Sequence, residues 1–198
     1  MKEDKYFQPE FYRFDEDSIF LVDFILQSKS VNFENNNQSF LEVGAGCGVI
    51  SIELLNRLYL LSDIPKFNME LIELQLEFKQ SLEKNLSFLE SSINISVHFE
   101  DFLFASRPTK YSCVYSNPPY FFKNEGRLSS NLFREKCRRM MKEDLDTWLK
   151  KMIHFTKVGG DIFFCHRSST IKSSLYNVKE CKKVKRKKST FYWWTKVN

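Results

Sequence analysis

The run Glu42-Val43-Gly44-Ala45-Gly46-Cys47-Gly48 constrains this chain more than any other stretch. The chain has only six glycines, and three stand within the five residues from Gly44 to Gly48. Before them lies SFLEV, Ser39 to Val43, which reads as a buried strand. After them, Val49 to Leu61 carries Ile50, Leu54, Leu55 and Leu58 at helical spacing. A strand delivered into a helix through three glycines is a tight turn that lets a ligand approach bare backbone. In open α/β sheets, ligands bind at the carboxyl ends of the strands. The spacing is not the GxGxxG of nicotinamide enzymes, and no GxxxxGK[ST] phosphate loop occurs. The expected ligand is therefore a nucleoside without a diphosphate. Glu73, at the end of the next expected strand, can accept both ribose hydroxyls of an adenosine.

The rest of the chain alternates in the same way. Strands are expected at Asn68 to Leu74 (with helix as the alternative), Ile93 to Phe99, Tyr111 to Tyr115, Asp161 to Cys165, Lys182 to Lys187 and Thr190 to Val197. Helices are expected at Asp17 to Gln27, Gln75 to Leu89 and Leu145 to Phe155, with Asp15 or Asp17 capping the first. Gly159-Gly160 reads as a turn and Ser169 to Leu175 as a short helix. This alternation predicts an α/β fold, a mostly parallel sheet with helices on both faces. The 198 residues suit one domain, and no low-complexity linker divides them.

No apolar run approaches the length of a membrane span, and MKEDKYFQPEF has no apolar core of a secretory leader. The five cysteines are odd in number and widely spaced, with no CxxC pair, so they read as reduced thiols of a cytoplasmic protein. Three scattered histidines suggest no metal site. The net charge of +5 is mild, but Arg127 to Lys142 and Lys182 to Lys188 concentrate it. Such a footprint suits nucleic acid. A solvated basic surface is the competing reading.

A second constraint is SNPPYF, Ser116 to Phe121. Two prolines fix two φ angles, remove two donors and keep Asn117 out of the helical region. They make a stiff corner at the end of an expected strand, with an amide on one side and aromatics on the other.

Together these motifs resemble the class I S-adenosylmethionine-dependent methyltransferases, in the branch that carries NPPY. The resemblance spans roughly Gln8 to Arg167 and implies a Rossmann-like, seven-stranded sheet with an antiparallel last strand. FYRFDEDSIFLVDF (Phe11 to Phe24), EVGAGCGVISI (Glu42 to Ile52), IELQ (Ile72 to Gln75), NPPYFFKNEGRLSSNLFREKCRR (Asn117 to Arg139) and VGGDIFFCHR (Val158 to Arg167) are similar to the bacterial tRNA1(Val) adenine-N6 methyltransferases. Those act on the adenine at position 37. This chain is shorter at its C-terminus than that family and has Arg139 where histidine is usual.

The resemblance implies one methyltransferase unit over 1–198. Residues 1–38 would cover the cofactor and 39–198 would form the catalytic core. S-adenosylmethionine is the implied cofactor, with no metal, and tRNA the implied partner, with no membrane and no obligate protein partner. The implied cofactor-binding residues are Tyr12, Phe14, Asp17, Glu42, Gly44, Gly46, Glu73, Leu74, Asp101, Phe102 and Asn117. The implied catalytic set is Asn117, Pro118, Pro119 and Tyr120. An adenine amine is a poor nucleophile because its lone pair is delocalised. The Asn117 side-chain oxygen and the Pro118 carbonyl would accept its two N–H groups, and Tyr120 would stack on the base. Arg127, Arg134, Arg138, Arg139, His166 and Arg167 would meet the RNA, with Arg134, Arg138 and Arg139 on a helix expected after the loop and Arg134 and Arg138 sharing a face of it.

Protein glutamine N5-methylation of release factors uses the same motif and is the alternative. A separate N-terminal helical domain is usual there, and only about forty residues precede the glycine turn here. A relic that binds cofactor or RNA without turnover is the third reading, and the intact NPPY opposes it.

Overall fold

The computed structural model describes residues 5–28, 38–59, 67–89, 94–108, 110–122, 129–140, 142–167 and 171–198. Seven strands form one sheet: β1 (Gln38–Val43), β2 (Phe67–Glu73), β3 (Asn94–Phe99), β4 (Tyr111–Ser116), β5 (Thr156–His166), β6 (Val178–Arg186) and β7 (Ser189–Lys196). Their spatial order is 3-2-1-4-5-7-6. The first five run parallel, and β7 lies antiparallel between β5 and β6. The expected mostly parallel sheet with an antiparallel last strand is therefore present, and Asn68 to Leu74 is strand rather than helix.

Side chains alternate across the sheet because a strand has a period of two. Phe40, Leu71, Tyr115, Phe163, Cys165 and Phe191 face one layer, built with α1 (Glu16–Gln27), α2 (Val49–Tyr59) and α3 (Lys79–Leu86). Leu41, Val43, Val114, Ile162, Phe164 and Trp194 face the other, against Leu149 and Met152 of α5 (Lys142–Phe155). The outermost strand β6, KECKKVKR between Val178 and Arg186, is largely exposed and lysine-rich. Charge there discourages pairing with another chain's edge.

A third cluster joins Tyr6, Phe14, Ile19, Cys47, Val49 and Phe78, so the chain before α1 folds over the start of α2. Asp15 caps α1 by accepting the Asp17 N–H at 3.1 Å. Short α4 (Leu132–Arg138) begins at Asn131, whose side chain accepts the Arg134 N–H at 3.0 Å.

The Gly159-Gly160 turn is not a break between elements. Both glycines lie inside β5, where the pairing jumps from Tyr111↔Thr156 to Cys113↔Asp161. Gly159 has φ +76°, and a Cβ on Gly160 would stand 2.9 Å from the Ser112 carbonyl oxygen. The glycines serve a bulge that only they fit. No helix among the described residues is long and apolar enough to cross a membrane.

Candidate active site

The sheet order reverses between β1 and β4, which leave in opposite directions along the sheet toward β2 and β5. Such a switch point opens a crevice beyond the strand ends. Val43 pairs with Ser116 there, and the Ser116 hydroxyl donates to the Val43 carbonyl at 2.7 Å. The glycine turn and the proline corner therefore leave the sheet side by side.

Gly44, Gly46 and Gly48 all have positive φ: +73°, +56° and +81°. Side chains avoid that region, and glycine enters it at little cost. The turn is tied to its neighbour strand, because Gly44 N–H donates to the Ile72 carbonyl at 2.9 Å. The Gly46 N–H donates to Glu73 Oε2 at 2.7 Å, and the Gln75 N–H donates to Oε1 at 2.8 Å. Burial pushes the Glu73 carboxyl above its ordinary value, while these backbone donors oppose the rise. Each oxygen keeps a lone pair for a further donor.

A cavity of about 220 Å³ opens over this turn. Gly44, Gly46, Glu73, Leu74, Asp101 and Phe102 line it, as the sequence suggests, with Tyr12 above and Asn117 and Pro119 at one end. Ile72, Phe78, Leu103 and Trp148 add apolar wall. An ideal Cβ on Gly46 would reach 3.8 Å from both Tyr12 and Phe78, so a side chain there would take up cavity space. An acidic group for hydroxyls, a second carboxylate at Asp101 and an apolar slot fit the donor set of an adenosine.

A second cavity of about 300 Å³ lies on the other side of Asn117. Pro118, Tyr120, Phe11 and Asp15 line it, together with four arginines: Arg13, Arg134, Arg138 and Arg167. Tyr12, Asn117 and Cys137 line both cavities and so form the partition between them. The Asn117 amide is held at both ends. Its Nδ2 donates to Ser18 Oγ at 3.1 Å, and its Oδ1 accepts from Cys165 Sγ at 3.0 Å. The Tyr120 hydroxyl donates to Asp17 Oδ2 at 3.0 Å, and the Arg167 guanidinium lies 5.3 Å from the Tyr120 ring centre.

Several expected residues sit elsewhere. Glu42 lines neither cavity. Its side chain turns into the core beneath α2, accepts the Ser51 N–H at 3.2 Å and also bonds the Ser51 hydroxyl. Phe14 is core, edge-on to Tyr6 at 5.7 Å. Asp17 holds Tyr120 and accepts the Ser189 hydroxyl, and it too lines neither cavity. His166 is 1% exposed, with its ring against Tyr120, so it presents no face to a bound strand. Arg139 is not on the helix with Arg134 and Arg138. Its backbone is extended, pairing with Phe121, and its side chain joins Glu135 and lines the first cavity. Arg127 lies outside the described residues.

The sequence reading did not assign Gln75, Phe78, Cys137 and Trp148 in the first cavity, or Phe11, Arg13 and Asp15 in the second. The last three stand in FYRFD, beside residues already singled out, and their adjacency was a usable signal. Trp148 and Cys137 arrive from α5 and α4 by tertiary packing, and no local motif marks them. Among the described residues no group of His, Cys, Asp and Glu could hold a metal ion.

Residues 12–147 match the family model described as methyltransferase small domain. A tRNA1(Val) (adenine(37)-N6)-methyltransferase from Bacteroides thetaiotaomicron is 30% identical over 81 residues, which are 41% of this chain and 32% of that one. The match thus spans about a third of that relative's length. Among solved structures, a protein from Pyrococcus horikoshii provisionally named an RNA methyltransferase has a TM-score of 0.64 at 15% identity, covering 98% of this chain and 92% of that one. One from Listeria monocytogenes, provisionally named a class I S-adenosylmethionine-dependent methyltransferase, has a TM-score of 0.65 at 15% identity, covering 98% and 64%. The ribosomal protein L11 methylase of Lactobacillus delbrueckii gives 0.62 at 12%, covering 93% and 81%. At these identities the likeness is one of fold.

Proposed function

The chain belongs to the methyltransferase small-domain family; on that premise we propose that it is an S-adenosylmethionine-dependent methyltransferase and that it methylates the N6 amine of an adenine in RNA, tRNA being the substrate class. One observation carries the reading: the cavity beyond Asn117 is ringed by Arg13, Arg134, Arg138 and Arg167 and walled by Phe11, Tyr12 and Tyr120. Aromatic faces suit an extruded base, and arginines suit the phosphates on either side of it. A neutral glutamine side chain calls for neither. The partial match to a tRNA adenine-N6-methyltransferase supports the same reading.

Glu73 and Asp101 are the groups for the ribose and adenine of the methyl donor, with Gly44 and Gly46 beneath it. When bound, S-adenosylmethionine supplies an electrophilic methyl carbon on a sulfonium. The chain's own work is alignment of the acceptor, because an in-line transfer gains most from fixed geometry. Asn117 Oδ1 and the Pro118 carbonyl take the two N–H groups of the acceptor amine and stabilise the charge that develops on nitrogen. The prolines keep both oxygens in place at little entropic cost. Tyr120, anchored through its hydroxyl, offers its ring as a wall.

The test is incubation with labelled S-adenosylmethionine and unmodified total tRNA, followed by nucleoside mass spectrometry. N6-methyladenosine is the expected product, and Asn117→Ala is the control that binds the donor without transferring. Label on a release-factor glutamine and none on RNA would replace the reading with the protein one.

A further inference from the structure

Resting on that methyl-transfer reading, we propose that Cys165 and Ser18 are positioning residues: Ser18 holds the far end of the Asn117 carboxamide, and Cys165 fixes which end faces the acceptor amine. The amide oxygen is useful only if it, rather than Nδ2, meets the incoming N–H. An isolated asparagine has no such preference, since its two ends are nearly the same shape.

The surrounding hydrogen bonds supply one. Asp17, as a carboxylate, only accepts, and it takes the Tyr120 O–H at 3.0 Å. The Tyr120 oxygen then has only lone pairs to turn toward Cys165, 3.3 Å away. The thiol therefore carries the one proton available between Tyr120 and Asn117. It donates that proton to Asn117 Oδ1 at 3.0 Å. On the opposite side Nδ2 donates to Ser18 Oγ at 3.1 Å. Turning the amide over would set an N–H against sulfur, a weak acceptor. Oδ1 has two lone pairs, so one remains for the acceptor amine.

Burial makes the arrangement firm. Cys165 is 0% exposed and Ser18 3% exposed, so both bonds reach the half-buried Asn117 from the protein interior. Burial also pushes the Cys165 thiol far up, so it stays protonated and remains a donor. The two residues come from different elements, β5 and α1, and close on the corner from opposite sides.

Three variants test this: Cys165→Ala removes the donor, Cys165→Ser restores one at nearly the same volume, and Ser18→Ala removes the acceptor. With saturating labelled donor and unmodified tRNA, Cys165→Ala is expected to lower kcat about tenfold, with donor Kd and tRNA KM unchanged. Cys165→Ser is expected to stay within about twofold of wild type. A packing role would not separate Ala from Ser. Wild-type kcat in Cys165→Ala, or equal loss in both cysteine variants, overturns the proposal. A second readout needs no substrate: the two Asn117 Nδ2 proton resonances in the nitrogen-15 spectrum of the free protein. Cys165→Ala and Ser18→Ala are expected to displace both, and Cys165→Ser to return them toward wild type. Unmoved resonances overturn the proposal whatever the acceptor is. Displaced resonances in a protein inert toward tRNA would support the positioning role and reject the RNA reading alone.

Discussion

Glu42→Gln should make the protein more stable at alkaline pH. Glu42 is wholly buried between β1 and the first turns of α2. Its Oε2 bonds Ser51, whose hydroxyl also lies 2.8 Å from the Tyr115 hydroxyl. Its Oε1 has no hydrogen-bond partner among the described residues. Burial pushes the acid up to about 8, against the Ser51 bonds, and nearby Glu73 adds to the rise. The folded chain therefore keeps a proton that the unfolded chain releases near 4.5. Between those two values the folded state binds the extra proton, so its stability falls as pH rises and levels off above about 8. At about 1.4 kcal/mol per pH unit, the whole window amounts to about 5 kcal/mol as an upper value. Gln keeps the shape, still accepts from Ser51 and carries no charge. Urea unfolding of both proteins across this range should show near-equal stability at about pH 5. It should show the variant ahead by about 2–5 kcal/mol at about pH 8.5. Titration elsewhere cancels in the difference. A gap that does not change with pH would refute the reasoning.

Two further outcomes follow from the same geometry. Gly48→Ala places a Cβ 2.6 Å from Leu82 Cδ1 at φ +81°, and left-handed backbone alone should cost about 1–2 kcal/mol, read as a lower melting temperature. Arg134→Ala and Arg138→Ala should each weaken tRNA binding and reduce the slope of log affinity against log salt by about 1, while donor Kd stays put. An unchanged salt slope would remove those arginines from the phosphate path.

The glycine turn was legible because its chemistry is local. A strand, three glycines and a helix leave the backbone few options, and Glu73 and Asn117 follow at the neighbouring strand ends. Gly159-Gly160 misled because a glycine pair marks a bulge as readily as a turn, and the difference lies in what β4 pairs with. Arg139 misled because helical spacing continued past the last helical hydrogen bond. Its N–H still reaches the Glu135 carbonyl, but its own backbone is already extended. Glu42, Asp17 and His166 carry the chemistry of a site, yet their side chains serve the layer behind it. Period two fixes which face a strand residue takes, but not whether that face meets ligand or core. Trp148 over Gly44 was invisible for the opposite reason: a core tryptophan and a cavity wall look alike in sequence.

β7 follows every other strand in sequence and yet sits inside the sheet, between β5 and β6. It brings Ser189, whose hydroxyl donates to Asp17, and Phe191, which packs edge-on against both Phe20 and Phe24 of α1. The helix that anchors Tyr120 and Asn117 is thus seated on a strand that lines neither cavity. A change in β7 would reach both anchors through Asp17 and α1 without touching either cavity wall.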